Sequence, residues 1–213
     1  DSRANALRLV NEGTTLTLGS GITVRGQNGT IGFAGGAFSP WGGPANVNVV
    51  NQGLISADVA GGTMVIHVPT ITTANLGRLQ RASGTILLPG VIDNTGTNLV
   101  LDATTGSWLF DQGTIRGGTI TPSNGARLIG AGGTLDGVTV NGDLDVGNSV
   151  NGGSLTVING LVLNGTAYVG DSANTAYGAI SFSGSQGLSG AGTVVFGVSI
   201  RNALRLADTG TTL

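Results

Sequence analysis

The feature that most constrains the fold is a short internal period. Gly113-Thr114-Ile115, Gly133-Thr134-Leu135 and Gly153-Ser154-Leu155 recur twenty residues apart, each reading glycine, hydroxyl, aliphatic. Between and after them come strand-like runs: Val138-Thr139-Val140, Leu144-Asp145-Val146, Leu155-Thr156-Val157 and Leu161-Val162-Leu163. Apolar residues at a spacing of two mark strands with one buried face, and helical periodicity is nowhere convincing. Asn-Gly and Gly-Gly pairs punctuate the strands, among them Asn28-Gly29, Gly117-Gly118, Asn124-Gly125, Asn141-Gly142, Asn159-Gly160 and Asn164-Gly165. They supply residues that tolerate positive φ and read as corners.

Asn-Gly between strands is also a hairpin signal, so an antiparallel sandwich or meander uses the same residues. The twenty-residue period favours a parallel β-helix, in which each strand pairs with its equivalent one turn later. At that offset Thr114, Thr134 and Ser154 form one column and Ile115, Leu135 and Leu155 the next, with Arg116 stacked over Asp136. The predicted architecture is all-β: a parallel β-helix, or solenoid, of about nine or ten coils of roughly 20 residues, with no significant helix. Two stretches read as loops inserted between coils, residues 33–46 and 171–178.

A longer repeat joins the two ends. Residues 5–16, NALRLVNEGTTL, recur as residues 202–213, NALRLADTGTTL, with nine of twelve positions identical. The offset is 197 residues, so 1–213 reads as one tandem-repeat unit whose next copy begins near 198. With about 4.8 Å between paired strands, one period advances about 43–48 Å, and repeats in series make a long, stiff rod.

Composition removes several functions. All nine basic residues are arginines, so no lysine is present to serve as a P-loop ligand or Schiff base. Only 9% of residues are charged and the net charge is −2, against the concentrated cationic footprint that nucleic acid requires. The 39% apolar content and 40 glycines with 5 prolines describe a chain that folds. Its apolar runs are far shorter than the ~18 residues of a membrane span, so no membrane insertion by this segment is expected. There is no cysteine for a disulfide frame or thiolate metal site. No apolar signal-like segment opens the chain, so any export signal is expected outside it.

The run Gly132-Gly133-Thr134-Leu135-Asp136-Gly137-Val138-Thr139-Val140-Asn141-Gly142-Asp143-Leu144-Asp145-Val146-Gly147 resembles the strand repeats of very large bacterial surface proteins, the adhesin-like and autotransporter-passenger-like β-helix family. The resemblance implies secretion to the cell surface or beyond, and a structural or adhesive role. Its motifs carry over no functional residue.

Candidate chemistry is sparse. His67 is the sole histidine; strand alternation puts it with Val65, opposite Met64, Ile66 and Val68, and no Gly-x-Ser-x-Gly elbow accompanies it. Asp143 and Asp145, two apart on one strand face with Asp136 one corner away, are the nearest approach to a glycosidase carboxylate pair, and read more simply as a solvated outer face. Asp102 and Asp111 flank the Trp108 strand without a partner. Calcium ligation by Asp143 and Asp145 is conceivable chemically, but the Gly-Gly-x-Gly-x-Asp pattern is missed. Gly130-Ala131-Gly132 and Gly190-Ala191-Gly192 read as turns, and the Asn-Gly-Thr sequons at 28 and 164 as chance. No catalytic residue, cofactor or metal is expected.

Three functions follow as expectations: a non-enzymatic repeat of a secreted filament or cell-surface rod, whose partners are further copies; an adhesin presenting Phe33, Phe38 and Trp41 of the 33–46 loop to a glycan or protein, although these aromatics read more simply as a cover over the side of the helix; and, least favoured, a polysaccharide-cleaving β-helix.

Overall fold

A computed structural model describes residues 5–33, 35–36 and 40–213. They form an all-β chain in which a 3-10 turn at Thr73–Asn75 is the one helical element among the described residues. Contacts divide the chain into two units, Asp1–Asp93 with Thr104–Gly106, and Asn94–Ala103 with Ser107–Leu213.

The first unit holds β1 (Ala6–Arg8), β2 (Thr15–Leu18), β3 (Thr23–Gly26), β4 (Asn28–Gly32), β5 (Asn48–Asn51), β6 (Leu54–Ala57), β7 (Thr63–His67), β8 (Thr70–Thr72), β9 (Arg78–Gln80), β10 (Thr85–Leu87) and β11 (Val91–Asp93). Its stacks run β1-β4-β7-β10, β2-β5, β3-β6-β9 and β8-β11. The second unit holds β12 (Asn98–Leu101), β13 (Trp108–Phe110), β14 (Thr114–Arg116), β15 (Thr119–Pro122), β16 (Leu128–Gly130), β17 (Thr134–Val140), β18 (Leu144–Val146), β19 (Gly153–Leu163), β20 (Thr166–Val169), β21 (Gly178–Phe182), β22 (Leu188–Ser189), β23 (Thr193–Phe196) and β24 (Ala203–Leu206). Here the stacks run β14-β17-β19-β21-β24, β13-β16-β18-β20-β23 and β12-β15-β17-β19-β22.

The ladders in both units are parallel, so each unit is a parallel β-solenoid and not an antiparallel meander. Together the units complete about eight turns, close to the nine or ten expected. The difference lies in uneven turns. Leu128 pairs with Leu144 only sixteen residues on, whereas Asn28 pairs with Thr63 thirty-five residues on, because the 33–46 insertion falls between β4 and β5.

The predicted columns hold for one step and then slip. Thr114, Ile115 and Arg116 pair with Thr134, Leu135 and Asp136, and Arg116 Nε lies 3.1 Å from Asp136 Oδ2. On the next turn Thr134 meets Thr156, not Ser154, and Leu135 meets Val157, not Leu155. A two-residue slip leaves every side chain on its original face, so alternation alone does not distinguish the registers. Leu155 is thereby freed to pack where Gly130 has no side chain: a Cβ on Gly130 would stand 2.4 Å from Leu155 Cγ.

Two predicted corners also behave differently. Asn28-Gly29 begins β4 and lies in the ladder, with Gly29 beside Met64. Asn159-Gly160 lies inside β19, with φ of 56° and 88°. Opposite it Asp136 pairs with Ile158 but Val138 pairs with Leu161, so β19 carries one extra residue. This bulge bends the strand and lets β17 and β19 each serve two faces of the solenoid.

The second unit's core is a set of apolar columns. Ile115, Leu135, Val157 and Phe182 are consecutive ladder neighbours, all 0% exposed, and the column ends on Leu206 at 42%. Each such burial contributes about 1.5–3 kcal/mol. Trp108 and Phe110 fill the opposite wall, their rings edge to face at 6.5 Å. Backbone polar groups at corners are satisfied by buried asparagines. Asn51 donates to the Leu76 carbonyl at 2.7 Å and accepts from Gly53 N at 3.0 Å, while Asn94 donates to the Thr119 carbonyl at 2.8 Å.

Candidate functional site

The 33–46 insertion separates its aromatics. Phe33 is half-buried, its ring tilted against the His67 imidazole at 4.8 Å and its N–H donating to the His67 carbonyl at 2.8 Å. It therefore covers the side of β7. Trp41 is 54% exposed, and its carbonyl accepts a 3.1 Å bond from Arg8 Nη1. Phe38 lies outside the described residues. Beside Trp41 opens a cleft of about 750 Å³ lined by Leu7, Val24, Arg25, Gln27 and Ile31. The Arg25 guanidinium at its rim pairs with Asp58 at 2.6 Å.

The other sequence candidates resolve into structural roles. Val65 was expected outward with His67 but is buried, as are Met64 and Ile66, so strict alternation fails at β7. His67 is half-buried, and burial pushes its pKa below 6.5, partly offset by a hydrogen bond to the Phe33 backbone. Asp145 is 0% exposed, correcting the expected solvated face. The chain after β18 folds back so that Asn148 N and Ser149 N each donate to Asp145 Oδ1 at 3.0 Å, and Ser149 Oγ donates to Oδ2 at 2.6 Å. Arg127 adds an ion pair at 3.6 Å while stacking on the Tyr168 ring. Asp143 precedes β18 and does not share that strand with it. The proposed acid/base pair thus has one member sealed from water.

Asp136 is held by Arg116 and by Asn159 Nδ2, the latter at 2.7 Å. Asp102 directly follows β12 and Asp111 directly follows β13, so the two lie on different strand stacks. Among the described residues, no group of three or more His, Asp or Glu is placed to hold a metal ion, and no helix is long and apolar enough to cross a membrane. The 171–178 insertion is a loop through Tyr177, with Gly178 already in β21. Asp171 organises it by accepting from Ala173 N and Asn174 Nδ2.

What the structure adds is the place of the repeated segment. Residues 202–213 share a strand followed by a glycine turn with residues 5–16. Each begins with an edge strand, β24 or β1, and then turns at a glycine with φ of 75° at Gly210 and 69° at Gly13. Thr211 Oγ1 donates to the Asp208 carbonyl and Thr14 Oγ1 to the Asn11 carbonyl, both at 2.7 Å. In this shared shape β24 takes the next rung above β21, with Ala179, Ile180, Ser181 and Phe182 beside Ala203, Leu204, Arg205 and Leu206. The residues that seat it, Ser181, Ser183, Gly184 and Gln186, carried no sequence signal, since only the incoming segment is repeated.

No family model matches this sequence, and no curated protein or solved structure matches it.

Proposed function

We propose that this chain is a non-enzymatic structural repeat of a secreted filament or cell-surface rod, in which successive copies continue a parallel solenoid. One observation carries the reading: residues 202–213, which repeat residues 5–16 in sequence, keep their glycine turn and threonine bond and extend the β21 ladder in parallel. A strand edge is a template for another strand, and here the strand that uses it belongs to the repeat itself. Secretion and the surface location rest on the resemblance of the 132–147 run to large bacterial surface proteins. Electron microscopy of the native material tests the reading: about eight turns at about 4.8 Å each give rods with an axial repeat near 38 Å per copy, and globules without axial periodicity refute it.

A second reading is favoured by the exposed Trp41 beside the 750 Å³ cleft. In it the rod is an adhesin whose 33–46 loop meets a glycan or protein. Replacing Trp41 by Ala then abolishes attachment to host or matrix glycans and leaves the rod intact; unchanged attachment removes the reading.

A further inference from the structure

The β21 edge carries β24, and side-chain contacts beyond the ladder hold it there. Gly178 N donates to Asn202 Oδ1 at 3.1 Å, Arg205 Nε donates to Ser181 Oγ at 2.7 Å, and Gly184 N and Ser183 Oγ donate to Asp208 Oδ2 at 2.7 and 2.9 Å. Further along, Gln186 N donates to the Thr212 carbonyl at 3.1 Å, and Thr212 N to Ser185 Oγ at 3.2 Å. Residues 5–16 can make every one of these. Asn5, Arg8 and Thr15 are the same residue types as Asn202, Arg205 and Thr212, and Asn11 keeps a side-chain oxygen where Asp208 has one. The three positions that differ, Val10/Ala207, Asn11/Asp208 and Glu12/Thr209, are exposed in both copies.

A second, independent feature shows that the segment is built to have a turn on each side. Asn202 Nδ2 is buried with no hydrogen-bond partner among the described residues. Its counterpart Asn5 shows what satisfies that donor: Asn5 Nδ2 donates to the Asn28 carbonyl at 3.2 Å, and Asn28 Oδ1 in turn accepts from Thr63 N at 3.0 Å. A buried amide donor without a partner costs about 1–3 kcal/mol. The asparagine at this position uses its oxygen toward the preceding turn and its nitrogen toward the following one. The apolar columns behave in the same way: Ile180 meets Leu204 and Phe182 meets Leu206, whereas Leu7, the counterpart of Leu204, pairs with Ile31 and is 45% exposed.

We infer that the β21 edge, with the turn at 183–186, is the docking site for residues 5–16 of a second copy of this chain, and that residues 202–213 hold that site in the register the second copy takes. This deepens the structural-repeat reading by naming the strand, the register and the residues of the junction. In a tandem array the occupant is covalently supplied. Between separate chains it exchanges with residues 202–213, which hold an intramolecular advantage in effective concentration.

The chain of residues 1–213 tests this, because it has no cysteine of its own. Arg205→Pro removes a backbone donor from β24 and the bond to Ser181, which opens the edge. A labelled synthetic peptide of residues 5–16 is expected to bind the Arg205→Pro chain and not the unsubstituted chain, and the same peptide with its arginine replaced by proline is expected to lose binding. In the trap, a copy carrying Leu7→Cys is mixed under mild oxidation with a copy carrying Ile180→Cys and Arg205→Pro. Disulfide dimers are expected there, and not when Val10→Cys replaces Leu7→Cys. Leu206→Asp, which places a charge against Phe182, serves as a second opening variant. No peptide binding to either variant while the β-sheet circular dichroism is native overturns the inference, as do dimers formed equally through Val10→Cys. Loss of the native spectrum in both variants also overturns it, since residues 202–213 are then an inseparable part of the fold. Head-to-tail association trapped at other strands defeats this junction but leaves the rod reading standing; micrographs without an axial repeat defeat the rod reading whatever the trap shows.

Discussion

The ring of Phe110 lies where a side chain on Gly133 would begin: a Cβ at Gly133 would stand 2.3 Å from Phe110 Cε1. Phe110 is 2% exposed, and its ring meets Trp108 edge to face at 6.5 Å. Gly133→Ala is therefore expected to destabilise the chain by about 1–3 kcal/mol through overpacking. Gly19→Ala, with no atom within 4 Å of the new Cβ, is expected to stay within about 0.5 kcal/mol. Denaturant unfolding of the two variants checks the contrast, and equal midpoints contradict it.

Asp145 is a structural carboxylate. Removing it leaves the N–H groups of Asn148 and Ser149 and the Ser149 hydroxyl without their acceptor, while Arg127, one-third exposed, keeps its solvent and the Tyr168 ring. Asp145→Ala is expected to cost about 1–3 kcal/mol, whereas Asp143→Ala changes stability little. Chemical denaturation measures both, and a mild Asp145 variant would return that residue to the list of free carboxylates.

Asn51 joins two turns of the first unit through the Leu76 carbonyl and Gly53 N. It is 2% exposed, so Asn51→Ala leaves both groups buried and unpaired, at about 1–3 kcal/mol each. Hydrogen exchange should register the change first at Gly53 N, whose protection is expected to fall by more than that of Val65 in the neighbouring core.

His67 makes stability depend on pH in a defined direction. Burial holds its folded pKa below 6.5, so between that folded value and 6.5 the unfolded chain binds more protons than the folded one. Its contribution is fully present above 6.5 and is lost as pH falls toward the folded pKa. The imidazole NMR titration should have its midpoint below 6.5, and His67→Gln should flatten the corresponding part of the stability profile. A midpoint at or above 6.5 contradicts the burial account.

Much of the solenoid is legible in the residues. The stretches around 138, 144, 155 and 161 are strands, the described residues of 33–46 and most of 171–178 are loops, and the Arg116–Asp136 rung is a real ion pair. The misreadings share a cause. Asn28-Gly29 and Asn159-Gly160 both tolerate positive φ, yet only the second adopts it, because strand pairing on either side decides whether such a pair turns or lies flat. Of the loop aromatics, composition could not separate Phe33 from Trp41; the first leans on His67 across a turn, and the second stands in solvent.

The residues alone determined the two-residue alternation, the punctuation by glycine and asparagine, and the return of residues 5–16 at 202–213, because these follow from local sterics and from identity along the chain. Only the tertiary structure decided the two-residue slip that seats Val157 on Leu135, the burial of Asp145 beneath its own following loop, and the choice of β21 as the seat for the repeated strand. Each depends on what lies one turn above or below, and that neighbour is some sixteen to thirty-five residues distant. A shift by an even number of residues leaves the pattern of faces unchanged, so the packing of unlike side chains had to select among registers that look alike in one dimension.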